Sequence, residues 1–301
     1  GIFVLAGGIL NAGGGYTNIM ENLQTHNPQL LDPLGGGDMP IGLYFTQWLL
    51  VGVFTFCLPQ SVVRCMGYKD SKSLRQAMII GTIIIGAMMI GVTALGDLAK
   101  GILPADLSAY GNSVDNIIPL AIVQSLPPWL AGVAIIGPVA ASISTVASLL
   151  IFSSSSIIKD MYLHYREEKN DVPSGKQVAR YSQVFTFVVG VIVFVLSVVP
   201  PDVIWKINMF AFGGIETAFC WILVMGLFWK KANKFGALCS MVGGTLAYCG
   251  TMAAGITFFG LHQIVIGITV SLLCMVIGSL VVSSKATSEK EKEIRLVFFG
   301  E

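Results

Sequence analysis

The chain has 301 residues, of which 54% are hydrophobic and 12% charged, with a formal net charge of +1. Soluble domains carry about a quarter charged residues, so the composition excludes an ordinary soluble domain and points to a lipid bilayer. A net charge so close to zero gives no electrostatic footprint for nucleic acid.

Apolar runs of about 20 residues read as membrane-spanning helices. Eight are predicted, at about 1–20, 41–65, 76–97, 128–160, 179–200, 203–229, 235–257 and 263–284. They make residues 1–284 one polytopic region and leave 285–301 as a solvated tail. The first run opens GIFVLAGGIL, without an initiator Met or a charged leader. It reads as the inside of a helix, so the chain is expected to be a fragment cut within or just before its first span.

The second run contains GVFTFCLPQSVVRCMGYKD. Pro59 inside an apolar helix removes a backbone hydrogen bond and is expected to bend the chain. The freed carbonyl needs a partner from protein or ligand, so a structural kink and a ligand site both fit. Gln60 adds a polar group at depth, and Arg64 marks the inner boundary. Further along, VDNIIPLAIVQSL, residues 114–126, is too short to span and stops at Pro127-Pro128. It is predicted to be a helix lying in a loop.

The fourth run ends in ASISTVASLLIFSSSSIIKD, Ala141 to Asp160, with eight hydroxyl side chains. Ala141, Ser144, Thr145 and Ser148 share one helical face, and Ser155 continues near it. Such a stripe fits two roles: close helix packing, or neutral-oxygen ligation of a hard cation such as sodium. Ser153–Ser156, near the inner end, suits a wet vestibule or close packing rather than ion ligation.

The sixth run, INMFAFGGIETAFCWILVMGLF, holds Glu216 about midway, just after Gly213-Gly214. A carboxylate there costs several kcal/mol unless it is paired, wet or protonated. That leaves a role in transport or a structural hydrogen bond in the bundle.

Lys and Arg fix the orientation. With alternating spans, sixteen of them fall on one side, from Arg64 and Lys69 through Lys285, Lys290, Lys292 and Arg295. Only Lys100 and Lys206 fall on the other side. The first side is therefore expected to be cytoplasmic, with the C-terminal tail on it. The outer loops carry Glu21, Asp32, Asp38, Asp97, Asp106, Asp115 and Asp202. The six cysteines lack a CxxC pair and read as small apolar residues. The three histidines have no metal-ligand spacing, and no nucleophile–base–acid set suggests an enzyme. The clusters Gly13-Gly14-Gly15 and Gly35-Gly36-Gly37 lack the strand and helix context of a phosphate-cradling loop.

Three segments carry a family resemblance. GLFWKKANKFGALCSMVGG, Gly226 to Gly244, and WLAGVAIIGPVAASISTVASLLIFSSSSIIKDMY, Trp129 to Tyr162, resemble the signatures of the sodium:solute symporter family. LPQSVVR, Leu58 to Arg64, is similar to the family's Gly-Gln-Pro-His-type segment. VRCMGYKDSKSLRQAMIIGTI, SIIKDMYLHYR, NMFAFGGIETAFCW and LQTHNPQLLDP look most like its pantothenate branch. The proline branch comes next and differs at the Glu216 position.

The resemblance implies an all-α integral membrane protein with the inverted-repeat fold of the leucine transporter, of which core helices five to ten and two trailing helices are here. Core helices one to four lie outside this chain, as does an acidic residue the family usually carries near the start of core helix five. The stretch 114–126 becomes an outer-gate helix. The implied function is sodium-coupled uptake of pantothenate through a bacterial inner membrane, with the sodium ion co-transported and no obligate protein partner; the alternatives are symport of another small solute (proline, a sugar or a monocarboxylate) and a transporter-like sensor. Carried over residue by residue, sodium falls on the Ala141 carbonyl and the Ser144 and Thr145 hydroxyls. Substrate-lining positions fall on Val51, Thr55 and Pro59, with Gln60 beside them. Val51 and Thr55 replace aromatic residues of the proline branch. Glu216 falls in core helix ten, which closes the outer side of the cavity.

Overall fold

A computed structural model describes residues 1–37, 39–104, 113–169, 171, 173–198, 200 and 202–282. Among these the chain is helical, with one isolated β-bridge between Phe258 and Leu261. Asp38, Asp106 and the tail cations Lys285, Lys290, Lys292 and Arg295 lie outside the described residues. The chain divides into two compact units.

The first unit comprises residues 1–26 and 90–204. Its helices are α1 (Ile2–Ala12), α2 (Tyr16–His26), the end of α5 (Ser71–Ile102), α6 (Ile117–Ser125), α7 (Pro128–Ser155), α8 (His164–Glu168) and α9 (Gly175–Val198). The predicted span 1–20 is two eleven-residue helices rather than one. Eleven residues rise about 17 Å, short of the roughly 30 Å apolar core of a bilayer. The break falls at Gly13–Gly15, where Gly14 and Gly15 take φ of 70° and 103° that only glycine adopts freely. The core gathers Leu5, Ile9, Ile19, Leu23, Leu95, Ala99, Ala121, Ile122, Leu126 and Ala131. The short helix α6 is thus packed onto α1 as an apolar element, although it is too short to span. Asp97, read from sequence as a loop residue, lies inside α5.

α7, a π-helical turn at Ser156–Leu163 and α8 run on as one 41-residue helix. It lies beside α9, where the Ser154 hydroxyl donates to the Ser182 carbonyl at 2.9 Å and the Tyr162 and Tyr181 rings meet edge to face.

The second unit comprises 27–89 and 205–301. It holds α3 (Ile41–Gly52), α4 (Pro59–Met66), α10 (Ile204–Phe228, from Trp205), α11 (Lys234–Ala253) and α12 (Ile264–Val281). Its core is Leu50, Cys57, Met209, Cys220, Tyr248, Ile264 and Ile268. α11 and α12 approach closely because small residues line the seam. A Cβ on Gly236 would stand 2.7 Å from the Met275 carbonyl oxygen and 2.8 Å from the Ser279 nitrogen. Pro59 does not sit inside one long helix. A 3₁₀ turn covers Phe54–Cys57, Leu58 is extended, and Pro59 opens α4, with a bend of 46°. At that first position the missing N–H is one that no helix would use, so proline starts α4 instead of distorting it.

Six of the described helices are long and apolar enough to cross a membrane, and the bent α3–α4 pair makes a seventh. The eighth predicted run is the one broken at Gly13–Gly15.

Candidate functional site

Two groups of polar atoms stand out, one in each unit. In the first, α7 carries the hydroxyl stripe. The Ser144 and Thr145 hydroxyls both donate to the Ala141 carbonyl, at 2.8 and 3.0 Å, and Ser148 donates to the Ser144 carbonyl at 2.8 Å. This is the usual way for a helical Ser or Thr to spend its proton on the preceding turn. It leaves the hydroxyl lone pairs free. The Ser144 and Thr145 hydroxyl oxygens therefore keep acceptor capacity within one turn, neutral oxygens of the kind a hard monovalent cation takes, while the Ala141 carbonyl is occupied by both hydroxyls. All three residues are exposed on the surface of this unit.

The second group surrounds the break between α3 and α4. Val51 ends α3 half-buried, and its carbonyl accepts from the Thr55 hydroxyl at 3.1 Å. Pro59 and Gln60 follow on the first turn of α4, also half-buried. Cys57, from the 3₁₀ turn, is fully buried and packs in the same apolar cluster as Cys220 of α10. Glu216 lies one turn before Cys220 on the same face. It is 0% exposed, and neither carboxyl oxygen has a hydrogen-bond partner among the described residues. Cys57, Cys220 and Tyr248 lie within electrostatic reach of it. Val51, Thr55, Pro59, Gln60 and Glu216 thus belong to one unit, and the sodium candidates to the other.

Sequence reasoning missed the polar seam that holds α10 in place. The Tyr248 hydroxyl donates to the Met209 carbonyl at 2.8 Å, in space that exists because a Cβ on Gly213 would overlap the Tyr248 ring. The Ser271 hydroxyl donates to the Thr217 carbonyl at 2.8 Å and also pairs with Ser240. The Trp221 indole N–H donates to the Ile268 carbonyl at 2.8 Å. His262, in the connection before α12, is buried, and burial pushes its pKa below the usual imidazole value. Its backbone N–H donates to the Thr46 hydroxyl at 2.8 Å, tying that connection to α3. Ser240 and Gly244 sit inside the Gly226–Gly244 motif, which was the one available signal.

A model of the sodium:solute symporter family matches residues 1–244. The chain is 38% identical over 280 residues to the sodium/pantothenate symporter of Escherichia coli, covering 93% of this chain and 56% of the relative. It is 36% identical to that of Haemophilus influenzae, with the same two coverages. It is 26% identical to an osmoregulated proline transporter of Bacillus subtilis, over 91% of this chain and 54% of the relative. The chain thus spans little more than half the length of these relatives. No solved structure matches it. The family model covers most of the chain, both signature segments and the Ala141–Thr145 turn included: the chain belongs to the sodium:solute symporter family.

Proposed function

We propose that the protein of which this chain is a part imports pantothenate together with sodium across a bacterial inner membrane, by alternating access. The observation that carries the reading is the joint presence of two features. One is 36 to 38% identity to sodium/pantothenate symporters along 93% of the chain. The other is a turn of α7 where the Ser144 and Thr145 hydroxyls, both donating to the Ala141 carbonyl, keep lone pairs free for a cation. Identity to the proline transporter is lower, at 26%.

Sodium binds from outside on Ala141, Ser144 and Thr145 and favours the outward-open state. Pantothenate then binds near the break that Val51, Thr55, Pro59 and Gln60 flank. Broken helices near the bilayer midplane are where transporters of this kind hold their solutes. The solute has hydroxyls, an amide and a carboxylate, so an ionised Glu216 would repel its charged end. Glu216 is therefore either protonated or turned toward the hydroxyl end. After the two halves rock, sodium leaves inward past Ser153–Ser156. One charge falling through 100 mV releases about 2.3 kcal/mol. A tenfold sodium gradient adds about 1.4 kcal/mol, so one ion supports accumulation of several hundred-fold.

Competition identifies the solute. Uptake of labelled pantothenate by the full-length protein in proteoliposomes is expected to be blocked by excess unlabelled pantothenate and to survive excess proline, sugars or monocarboxylates. Inhibition by one of those instead would keep the symport reading and replace the substrate.

A further inference from the structure

We propose that Glu216 is a proton-binding site that senses whether the helix break at Gly52–Leu58 is packed against α10. Three independent features of the second unit carry this. First, Glu216 is 0% exposed and both of its carboxyl oxygens lack a hydrogen-bond partner among the described residues. An ionised carboxylate buried without a partner costs several kcal/mol, so the packed arrangement holds a neutral acid. Second, among the described residues the titratable groups near it offer no charge to replace the proton. The titratable groups facing it are the Cys57 thiol from the 3₁₀ turn, the Cys220 thiol on its own helix and the Tyr248 phenol on α11. Behind Tyr248 stands the His262 ring, 6.2 Å away between ring centres, kept toward its neutral form by burial. The phenol is itself committed, donating to the Met209 carbonyl. Third, one wall of the enclosure is the least regular part of this unit's spans. The 3₁₀ turn Phe54–Cys57 and the extended Leu58 join two helices at 46°, and Cys57 packs in one apolar cluster with Met209 and Cys220 of α10.

The coupling follows from these parts. When the break moves away from α10, water reaches the carboxyl, its O–H bond breaks, and the proton passes to water while the electron pair stays on the carboxylate. When the break returns, the carboxylate takes a proton back from water before it is enclosed. The packed state thus holds one proton more than the opened state. Each rise of one pH unit above the opened state's carboxyl range then favours the opened state about tenfold. The protonated form also removes the repulsion between Glu216 and an anionic solute. That last link rests on the symport reading, whereas the proton site does not.

Infrared difference spectroscopy on the full-length protein in lipid tests it. At about pH 7 the wild type is expected to show the carbonyl stretch of a neutral carboxylic acid, in a region free of carboxylate bands, and Glu216→Gln is expected to lack it. Glu216→Asp should keep the band at a shifted frequency, which identifies it even where the Gln variant fails to fold. Sodium-driven uptake, measured in parallel, should fall toward alkaline pH in the wild type, and whatever rate Glu216→Gln retains should be flat with pH. The absence of that band in the wild type, or a band unchanged in both variants, overturns the proton site and leaves sodium symport intact. Loss of sodium-dependent uptake in the wild type with the band present overturns the symport reading instead.

Discussion

The hydroxyls of Ser144 and Thr145 share one acceptor, the Ala141 carbonyl. Removing one hydroxyl therefore leaves the helix intact while taking one oxygen from the set that would ligate sodium. A hydrogen-bond-strength contact to a charge is worth about 1.5–3 kcal/mol. Thr145→Ala is thus expected to raise the sodium concentration needed for half-maximal uptake by roughly 10- to 100-fold. The maximal rate at saturating sodium should change far less; a sodium titration of uptake separates the two effects. This stripe was legible from sequence because one helical period brings Ala141, Ser144, Thr145 and Ser148 to one face. Glu216 was legible too, as a carboxylate in an apolar run. Its complete burial was not, since the groups near it, Cys57 and Tyr248 among them, come from distant stretches of the chain. The Thr217–Ser271–Ser240 chain escaped for the same reason: each residue alone reads as an ordinary small helix residue.

At the level of elements, the glycines of α11 divide sharply. Gly236 faces the backbone of α12, whereas Gly250 has open space around it. A methyl group at Gly236 must push α12 away, since backbone at Met275 and Ser279 cannot swing aside as a side chain could. Gly236→Ala is expected to cost about 1–3 kcal/mol, as overpacking does. Gly250→Ala should be neutral or stabilise by up to about 1 kcal/mol through helix propensity. Thermal unfolding of the two variants in detergent measures the contrast, and equal midpoints would contradict this packing. Long runs such as α5, α7, α9 and α12 were readable from hydropathy alone. Breaks were harder. Pro59 was expected to bend a helix from inside, yet the chain leaves helical geometry just before it, so that proline lands at a start. In the first run the decisive residues were Gly13–Gly15, whose freedom at positive φ ended α1 early, where apolarity alone predicted continuation.

For the whole molecule, the family match over residues 1–244 and the long apolar helices fit a multi-pass membrane protein. The candidate sodium turn and the candidate solute region lie in separate compact units of the chain, and the proposed function joins them by sodium-coupled alternating access. That mechanism makes sodium the source of energy rather than a structural ion. The most direct measurement is the initial rate of labelled pantothenate uptake by the full-length protein in proteoliposomes, with an inward sodium gradient, with equal sodium on both sides, and with potassium replacing sodium. Sodium-coupled symport predicts accumulation above equilibrium only with the inward sodium gradient, collapse to simple equilibration with equal sodium, and little entry in potassium. Uptake of equal rate and extent under all three conditions would contradict it and reduce the Ala141–Ser144–Thr145 turn to helix packing.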